Sequence, residues 1–223
     1  MKRYKTYKTT DQSWLTNVPK HWGYVKCKTL FATQTEKNKN NEEGNILSLT
    51  LQGVVRNNRE KPIGLSPSDY RTYQIFEKDD LVFKLIDLEN ISTSRVGLVP
   101  ERGIMSSAYI RLSAKCDINT RYFYFQYYDL WLRQIFNGLG AGVRQTLSAN
   151  DLLNIKIVVP PRDEQDQIVR YLDSKISAID AGISKLEEQI KCLKELKSTL
   201  ISDVVTGKID VRDAEIPTNP SME

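Results

Sequence analysis

A chain of 223 residues with 40% hydrophobic content can bury a core and is too apolar to be disordered, which allows one large domain or one domain plus an appendage. It has no run of about 18 apolar residues, and Met1 to Thr10 is basic and polar, so neither a helical membrane span nor a signal peptide is expected and the chain reads as cytoplasmic. The formal charge of +4 is unevenly spread: residues 1–159 hold 23 Lys+Arg against 15 Asp+Glu, a net of +8, and residues 160–223 hold 9 against 13, a net of −4, the balance of a polyanion-binding domain joined to an acidic, solvated appendage.

In chain order, residues 11–22 read as an extended segment, because Pro19 opposes helix and Trp14 and Trp22 offer large anchors to a core. A short amphipathic helix is expected at about 24–32. It is followed by a loop from Thr33 to Asn45, whose Lys37, Asn38, Lys39, Asn40 and Asn41 can touch phosphates or simply stay solvated. Ile46 to Leu51 alternates apolar and polar residues as a strand does, with Gly53-Val54-Val55 as its continuation. It leads into Arg56-Asn57-Asn58-Arg59-Glu60-Lys61-Pro62, a loop rich in side chains that fork onto guanine or adenine edges. A short helix around 67–75, a strand from Leu81 to Ile86, a polar turn Ser92-Thr93-Ser94-Arg95, and strands at Val96 to Val99 and Ile104 to Ser113 follow.

Asn119 to Phe136 has a helical period, with Asn119 or Thr120 as cap and Phe123, Tyr127, Leu130, Trp131 and Ile135 near one stripe. Tyr122, Tyr124, Phe125 and Tyr128 beside it invite a base-stacking role, but an aromatic stripe at helical spacing is more often core. A glycine-rich turn, Asn137 to Gly142, passes through Val143-Arg144-Gln145-Thr146 to Ser148. With Asp151, Ser148 resembles a capping box before Leu152-Leu153-Asn154, and Ile155 to Val159 reads as a strand. Short strands and helices that interleave irregularly make α+β the expected fold class.

The longest element comes last. In Asp163 to Val205, Ile176, Ile179, Ile183, Leu186, Ile190, Leu193 and Leu200 recur at alternating steps of three and four, with Lys197 in the one polar place. That is a heptad seam with Ile at a and Leu at d. Pro160 and Pro161 stop what precedes it, Asp163, Glu164 and Asp166 suit its first turn, and Gly207 ends it. At about 1.5 Å per residue it should be roughly 60 Å long. A seam of that length requires a second helix, and no other segment is comparable, so a partner copy is expected. The expected divisions are a recognition domain at 1–159, the long helix at 160–207 and a tail at 208–223.

Catalytic readings fail in turn. Cys27, Cys116 and Cys192 lack CxxC spacing, which argues against a disulfide framework and a zinc site and leaves them as reduced, half-buried fillers. His21 is the only histidine, and nothing beside it argues for a general base. The Gly138-x-Gly140-x-Gly142 run follows a helix and not a strand, and Thr206-Gly207-Lys208-Ile209 is no phosphate loop, since Ser202 stands where the first Gly belongs. Glu195-Leu196-Lys197 sits on the seam helix, and no Asn-Pro-Pro-Tyr tetrapeptide of a methyltransferase occurs. Binding without catalysis remains, and no metal ligand set is expected.

Gly140-Ala141-Gly142-Val143-Arg144-Gln145-Thr146-Leu147-Ser148, Leu152 to Val159, Pro160-Pro161-Arg162-Asp163-Glu164-Gln165, Ile168, Leu172-Asp173 and the stretch Leu200 to Arg212 resemble the specificity (S) subunit of type I restriction–modification systems. Trp14 to Trp22 looks like the start of a target recognition domain in the same family, whereas about 33 to 135 matches only in outline. Family members typically carry two recognition domains and two helical conserved regions, so this chain resembles a half-length form. The resemblance implies a non-catalytic, double-stranded-DNA-recognition subunit. Two copies would pair their helices antiparallel and direct modification (M) and, where present, restriction (R) subunits to a bipartite inverted repeat.

It also implies S-adenosylmethionine on M for adenine methylation and ATP on R, with no cofactor and no membrane contact for this chain. Under that implication the expected base contacts are Gln52, Arg56, Asn57, Asn58, Arg59, Lys61, Ser94, Arg95, Arg144 and Gln145, and the expected phosphate contacts are Lys37, Lys39 and Arg102. Two other readings stand beside it: a coiled-coil assembly protein with a domain that no longer reads DNA, and a silent half-subunit that pairs with a different one.

Overall fold

The computed structural model describes residues 3–58, 63, 69–86, 88, 95–139 and 146–214. The chain divides into two compact units, Met1–Arg170 and Tyr171–Glu223.

The first unit opens on an antiparallel hairpin, β1 (Tyr7–Gln12) and β2 (Leu15–Pro19), with Tyr7 opposite Pro19. This is the extended segment expected there, and Trp14 at its turn packs on the main core. The helix expected at about 24–32 is replaced by β3 (Gly23–Lys26), a 3-10 turn at Cys27–Thr29 and β4 (Phe31–Ala32). Its local pattern is overridden because Gly23–Lys26 pairs antiparallel with Lys156–Val159.

β5 (Leu47–Thr50) and β6 (Gly53–Arg56) form a second hairpin. The sequence suggests one continuing strand, but Gly53 takes a φ of 100° and turns the chain back. Of the helix expected around 67–75, the described part is a 3-10 turn at Tyr70–Thr72, and β7 (Gln74–Phe76) is already strand. Next come β8 (Leu81–Phe83), β9 (Val96–Leu98), β10 (Gly103–Met105) and β11 (Ile110–Ala114). The single strand expected from Ile104 to Ser113 is two, split by a turn in which the Tyr109 N–H donates to Ser106 O at 3.1 Å.

β4, β11, β8 and β9 make a four-stranded antiparallel sheet in that order, and β7 pairs with β10. Successive residues of an inner strand face opposite ways, so β8 is apolar throughout. Leu81 and Phe83 enter the main core, and Val82 enters a smaller cluster with Leu47, Leu49, Phe76, Val99 and Met105. The β5–β6 hairpin closes over that second face at Gly97 of β9, where a Cβ would lie 2.6 Å from both Leu49 Cδ1 and Val54 Cγ2.

The main core forms under α1 (Thr120–Leu132), whose cap is Asn119. Phe123 meets Phe31 edge-to-face at 5.4 Å between ring centres, and Tyr127 meets Phe83 at 5.0 Å, so most of the aromatic stripe is core. The helix ends before Phe136 because Gln134 adopts a φ of 55°, and α2 (Ile135–Leu139) then buries Phe136. α3 (Ala149–Asn154) starts with the expected capping box: the Asp151 N–H donates to Ser148 Oγ at 3.2 Å and the Ser148 N–H to the Asp151 carboxylate at 2.9 Å. β12 (Lys156–Val159) completes the pairing with β3, and the fold is α+β, as the sequence implies.

α4 (Arg162–Val205) has 44 residues, which at the usual rise is about 66 Å. The first unit includes its opening turns. Gln165 is buried, donating from Nε2 to Pro160 O and accepting the Asn119 N–H, both at 2.9 Å. Glu164 accepts from Trp22 Nε1 at 2.9 Å and Tyr4 Oη at 3.2 Å, and meets His21 Nε2 at 2.7 Å. In the second unit, Gly207 with a φ of 74° ends the helix. Its N–H donates to Val204 O at 3.1 Å, and that of Lys208 to Asp203 O at 2.8 Å, a Schellman arrangement. No helix among the described residues is long and apolar enough to cross a membrane. The cysteines are not all half-buried fillers: Cys27 is buried, but Cys116 and Cys192 are exposed.

Candidate nucleic-acid interface

One region of the first unit gathers most of the described residues expected to contact DNA. It comprises the β5–β6 hairpin, the β7–β10 pair and the loop that precedes β5. Loop and pair are joined by bridges from Lys37 to Gln74 and from Ile46 to Ile104. Asn38 orders the loop from within: its buried amide donates to Glu43 O at 2.9 Å and accepts the Glu43 N–H at 3.0 Å. Lys37 and Lys39, on either side of Asn38, are exposed.

Gln52 is exposed at the tip of the hairpin, which Thr50 Oγ1 tightens by accepting the Gln52 N–H at 3.1 Å and donating to Gly53 O at 3.0 Å. Arg56, the last residue of β6, forks onto Glu101: Nε donates to Oε1 and Nη2 to Oε2. Arg102 next to it lies between two carboxylates, Glu43 at 3.3 Å and Glu77. Asn58 is exposed just after the hairpin.

One expected contact, Arg95, is corrected, and a second, Asn57, has partners within the domain. Arg95 is 1% exposed just before β9 and donates from Nη1 to Ile86 O at 2.9 Å, so its guanidinium is tied into the interior and does not reach the surface. The Asn57 amide is shared between β5 and the residues that follow: Nδ2 donates to Ser48 Oγ at 2.8 Å and Oδ1 accepts the Ile63 N–H at 2.8 Å. Arg59, Lys61, Ser94, Arg144 and Gln145 lie outside the described residues.

The acidic partners of Arg56 and Arg102 were not expected from the sequence. Glu43, Glu77 and Glu101 stand against Arg56 and Arg102, so this region carries more carboxylates than guanidinium groups. The bond from Arg56 holds the Glu101 carboxyl below its usual range, and Glu101 in turn raises Arg56. The adjacent Glu101-Arg102 pair, after Pro100 and before a glycine, was the available signal for a turn with its own ion pairs.

Behind this surface, Asp80 ties the strands together. Its carboxylate accepts the Glu77 N–H at 2.7 Å and the Ser113 hydroxyl at 2.6 Å, and lies 2.5 Å from Arg111 Nε. Arg111 Nη1 also donates to Ile75 O at 2.9 Å, and both charged residues are buried. Among the described residues, no group of three or more His, Cys, Asp or Glu is arranged to hold a metal ion.

The second unit presents a different surface. Ile176, Ile179, Ile183, Leu186, Ile190, Leu193 and Leu200 are all exposed along α4, Leu193 to 64%, and Lys197 is exposed among them. A row of large aliphatic side chains at heptad spacing is the surface that a facing helix covers.

The sequence matches the family model described as the type I restriction modification DNA specificity domain over residues 19–191. Among solved structures, a chain from work on complex assembly and conformational transition of the type I R-M system is 16% identical with a TM-score of 0.56, over 83% of this chain and 46% of that one. An HsdS subunit from Thermoanaerobacter tengcongensis is 15% identical with a TM-score of 0.47, over 78% of this chain and 41% of that one. A type I restriction-modification system S subunit from M. genitalium is 16% identical with a TM-score of 0.48, over 89% of this chain and 48% of that one. The chain thus spans about half the length of the solved structures it matches. Because the family model takes in residues 19–191 of 223, the greater part of the sequence, this chain belongs to the type I restriction modification DNA specificity domain family.

Proposed function

We propose that this chain is a non-catalytic subunit that reads DNA as a homodimer, binds a bipartite inverted repeat, and positions modification and restriction subunits in the cytoplasm. S-adenosylmethionine would be bound by the modification subunit and ATP by the restriction subunit. Gln52, Arg56 and Asn58 are the proposed base contacts among the described residues, and Lys37, Lys39 and Arg102 the proposed phosphate contacts.

The observation that carries the homodimer is the exposed seam on α4. A parallel, in-register pair would set Lys197 against its own copy at an a position, two ammonium groups facing each other inside the seam. An antiparallel pair centred on Glu188 sets Ile176 against Leu200, Ile179 against Lys197, Ile183 against Leu193 and Leu186 against Ile190, so that every seam residue meets a partner and no Lys197 meets another. Its flanks favour the same register. Asp180 comes beside Lys194 and Lys175 beside Asp203 of the other copy, against one exposed repulsion between the two Glu187 residues. A closed pair of this kind has two-fold symmetry, so its two recognition domains would read the same half-site in inverted orientation.

Methylome sequencing of a host that carries this chain and its modification subunit tests the proposal. The expected result is a split motif whose halves are inverted repeats with a fixed spacer, and a contiguous or asymmetric motif would refute the homodimer. The carboxylates paired with Arg56 and Arg102 favour the second reading, an assembly protein that no longer reads DNA. Affinity for duplex DNA that is flat between low and moderate salt would support it, because phosphate contacts make binding fall steeply with salt.

A further inference from the structure

Arg56 is forked on one side only. A guanidinium carries five N–H groups in one plane, and Glu101 takes two of them, Nε–H and one hydrogen of Nη2, along the side-on edge. The end-on edge, formed by Nη1 and the outer hydrogen of Nη2, faces away from that carboxylate, on a side chain that is 74% exposed. Two parallel donors at that spacing match the O6 and N7 acceptors that guanine presents in the major groove, whereas adenine offers one acceptor beside a donor.

Glu101 is itself well anchored. Asn45 Nδ2 donates to the carbonyl of Arg102 at 2.7 Å, Arg102 is held by Glu43 and Glu77, and at Gly103 a Cβ would lie 2.7 Å from Asn45 O. The carboxylate therefore stands on a fixed turn, while Arg56 leaves the end of a hairpin strand.

We propose that Glu101 is a positioning residue for DNA reading: it holds Arg56 with its end-on edge presented to a guanine of the half-site. The same carboxylate disfavours the wrong partner. A phosphate that approaches Arg56 also approaches Glu101 and is repelled, whereas a base edge is neutral. This inference rests on the DNA-recognition reading above.

The experiment is selection of bound duplexes from a library with randomised positions, using the full chain in its assembled form as wild type, Arg56→Ala and Glu101→Gln. The pair is exposed, so both variants should melt within a few degrees of wild type. The wild type is expected to prefer guanine at one position by roughly tenfold or more. Arg56→Ala should abolish that preference, and Glu101→Gln should lower it by roughly three- to fivefold at the same position. Affinity for random-sequence duplex should not fall in Glu101→Gln, which separates positioning from a structural defect. If Arg56→Ala relaxes a position that Glu101→Gln leaves intact, the positioning role is overturned. A motif that neither variant alters overturns the contact itself, and a wild type that enriches no sequence overturns the DNA reading beneath it.

Discussion

Replacing Ile183 and Ile190 by Asp tests whether the α4 seam is an interface. In the single chain these side chains are 48% and 52% exposed. Full burial of an isoleucine contributes about 1.5–3 kcal/mol, so covering the remaining half of each would contribute about 1 kcal/mol. Two positions in each of two copies make this about 4 kcal/mol, roughly a thousandfold in the association constant. The carboxylates add to the loss, because in the antiparallel register they would be buried against Leu193 and Leu186 of the other copy with no partner. Light scattering over a dilution series should give a dimer mass for the wild type and a monomer mass for the double variant. Near-ultraviolet circular dichroism should remain unchanged, because the aromatic core lies in the first unit. Glu188→Lys, at the f position of the same heptads, serves as the control and should stay dimeric. A double variant that keeps the dimer mass at every concentration would mean that the seam is not what joins the copies.

Orientation can be read by cross-linking in a background that carries both Cys116→Ser and Cys192→Ser, the two exposed cysteines: a short bis-maleimide should join Glu187→Cys to its own copy in the antiparallel register, whereas efficient joining through Lys197→Cys would indicate a parallel pair. Asp80→Ala leaves Arg111 buried without its carboxylate and should cost about 3–5 kcal/mol in urea unfolding. Gly97→Val drives a side chain into Leu49 and Val54 and should cost about 1–3 kcal/mol by the same measurement. At Glu164, partial burial works to raise the carboxyl, but the bonds from Trp22, His21 and Tyr4 outweigh it and set it below its ordinary 4.5. Its contribution is therefore complete above about pH 4.5 and lost as pH falls through the lowered value, so the stability gap between wild type and Glu164→Gln should narrow on acidification. Burial pushes the Cys27 thiol up to about 11, so a thiol reagent should titrate Cys116 and Cys192 in the native protein and Cys27 only after unfolding.

What the sequence made legible was written in local pattern. The α4 period, the Ser148–Asp151 capping box and the Asn119 cap each depend on residues a few positions apart, and each formed as expected. The segment at 24–32 failed for the opposite reason, since its conformation is set by Lys156–Val159, far away in the chain. Gly53 and Gln134 failed more narrowly: one backbone angle at each redirects an otherwise continuous pattern. At the candidate interface, residue type identified what can touch a base but not what else it touches. Arg56 and Asn57 are neighbours with equal claims on paper, yet one presents a free edge beside Glu101 and the other is consumed by Ser48 and Ile63. Arg95 was indistinguishable from a loop arginine until the sheet enclosed it.

The pairing of β3 with β12 and the ties from Tyr4, His21 and Trp22 to Glu164 impose an order on synthesis. Hydrogen bonds that span 142 to 160 residues cannot form until the ribosome has released nearly the whole first unit. Until then β3 is an unpaired strand edge and the Trp22 indole lacks its acceptor, so the nascent chain waits with open edges while it is most exposed to other chains. Non-local closure of this kind is slow. The seam residues from Ile176 onward are made after Glu164, so the residues that close the domain leave the ribosome before the exposed apolar row of α4 does. Chain order thereby puts closure of the domain ahead of exposure of the seam.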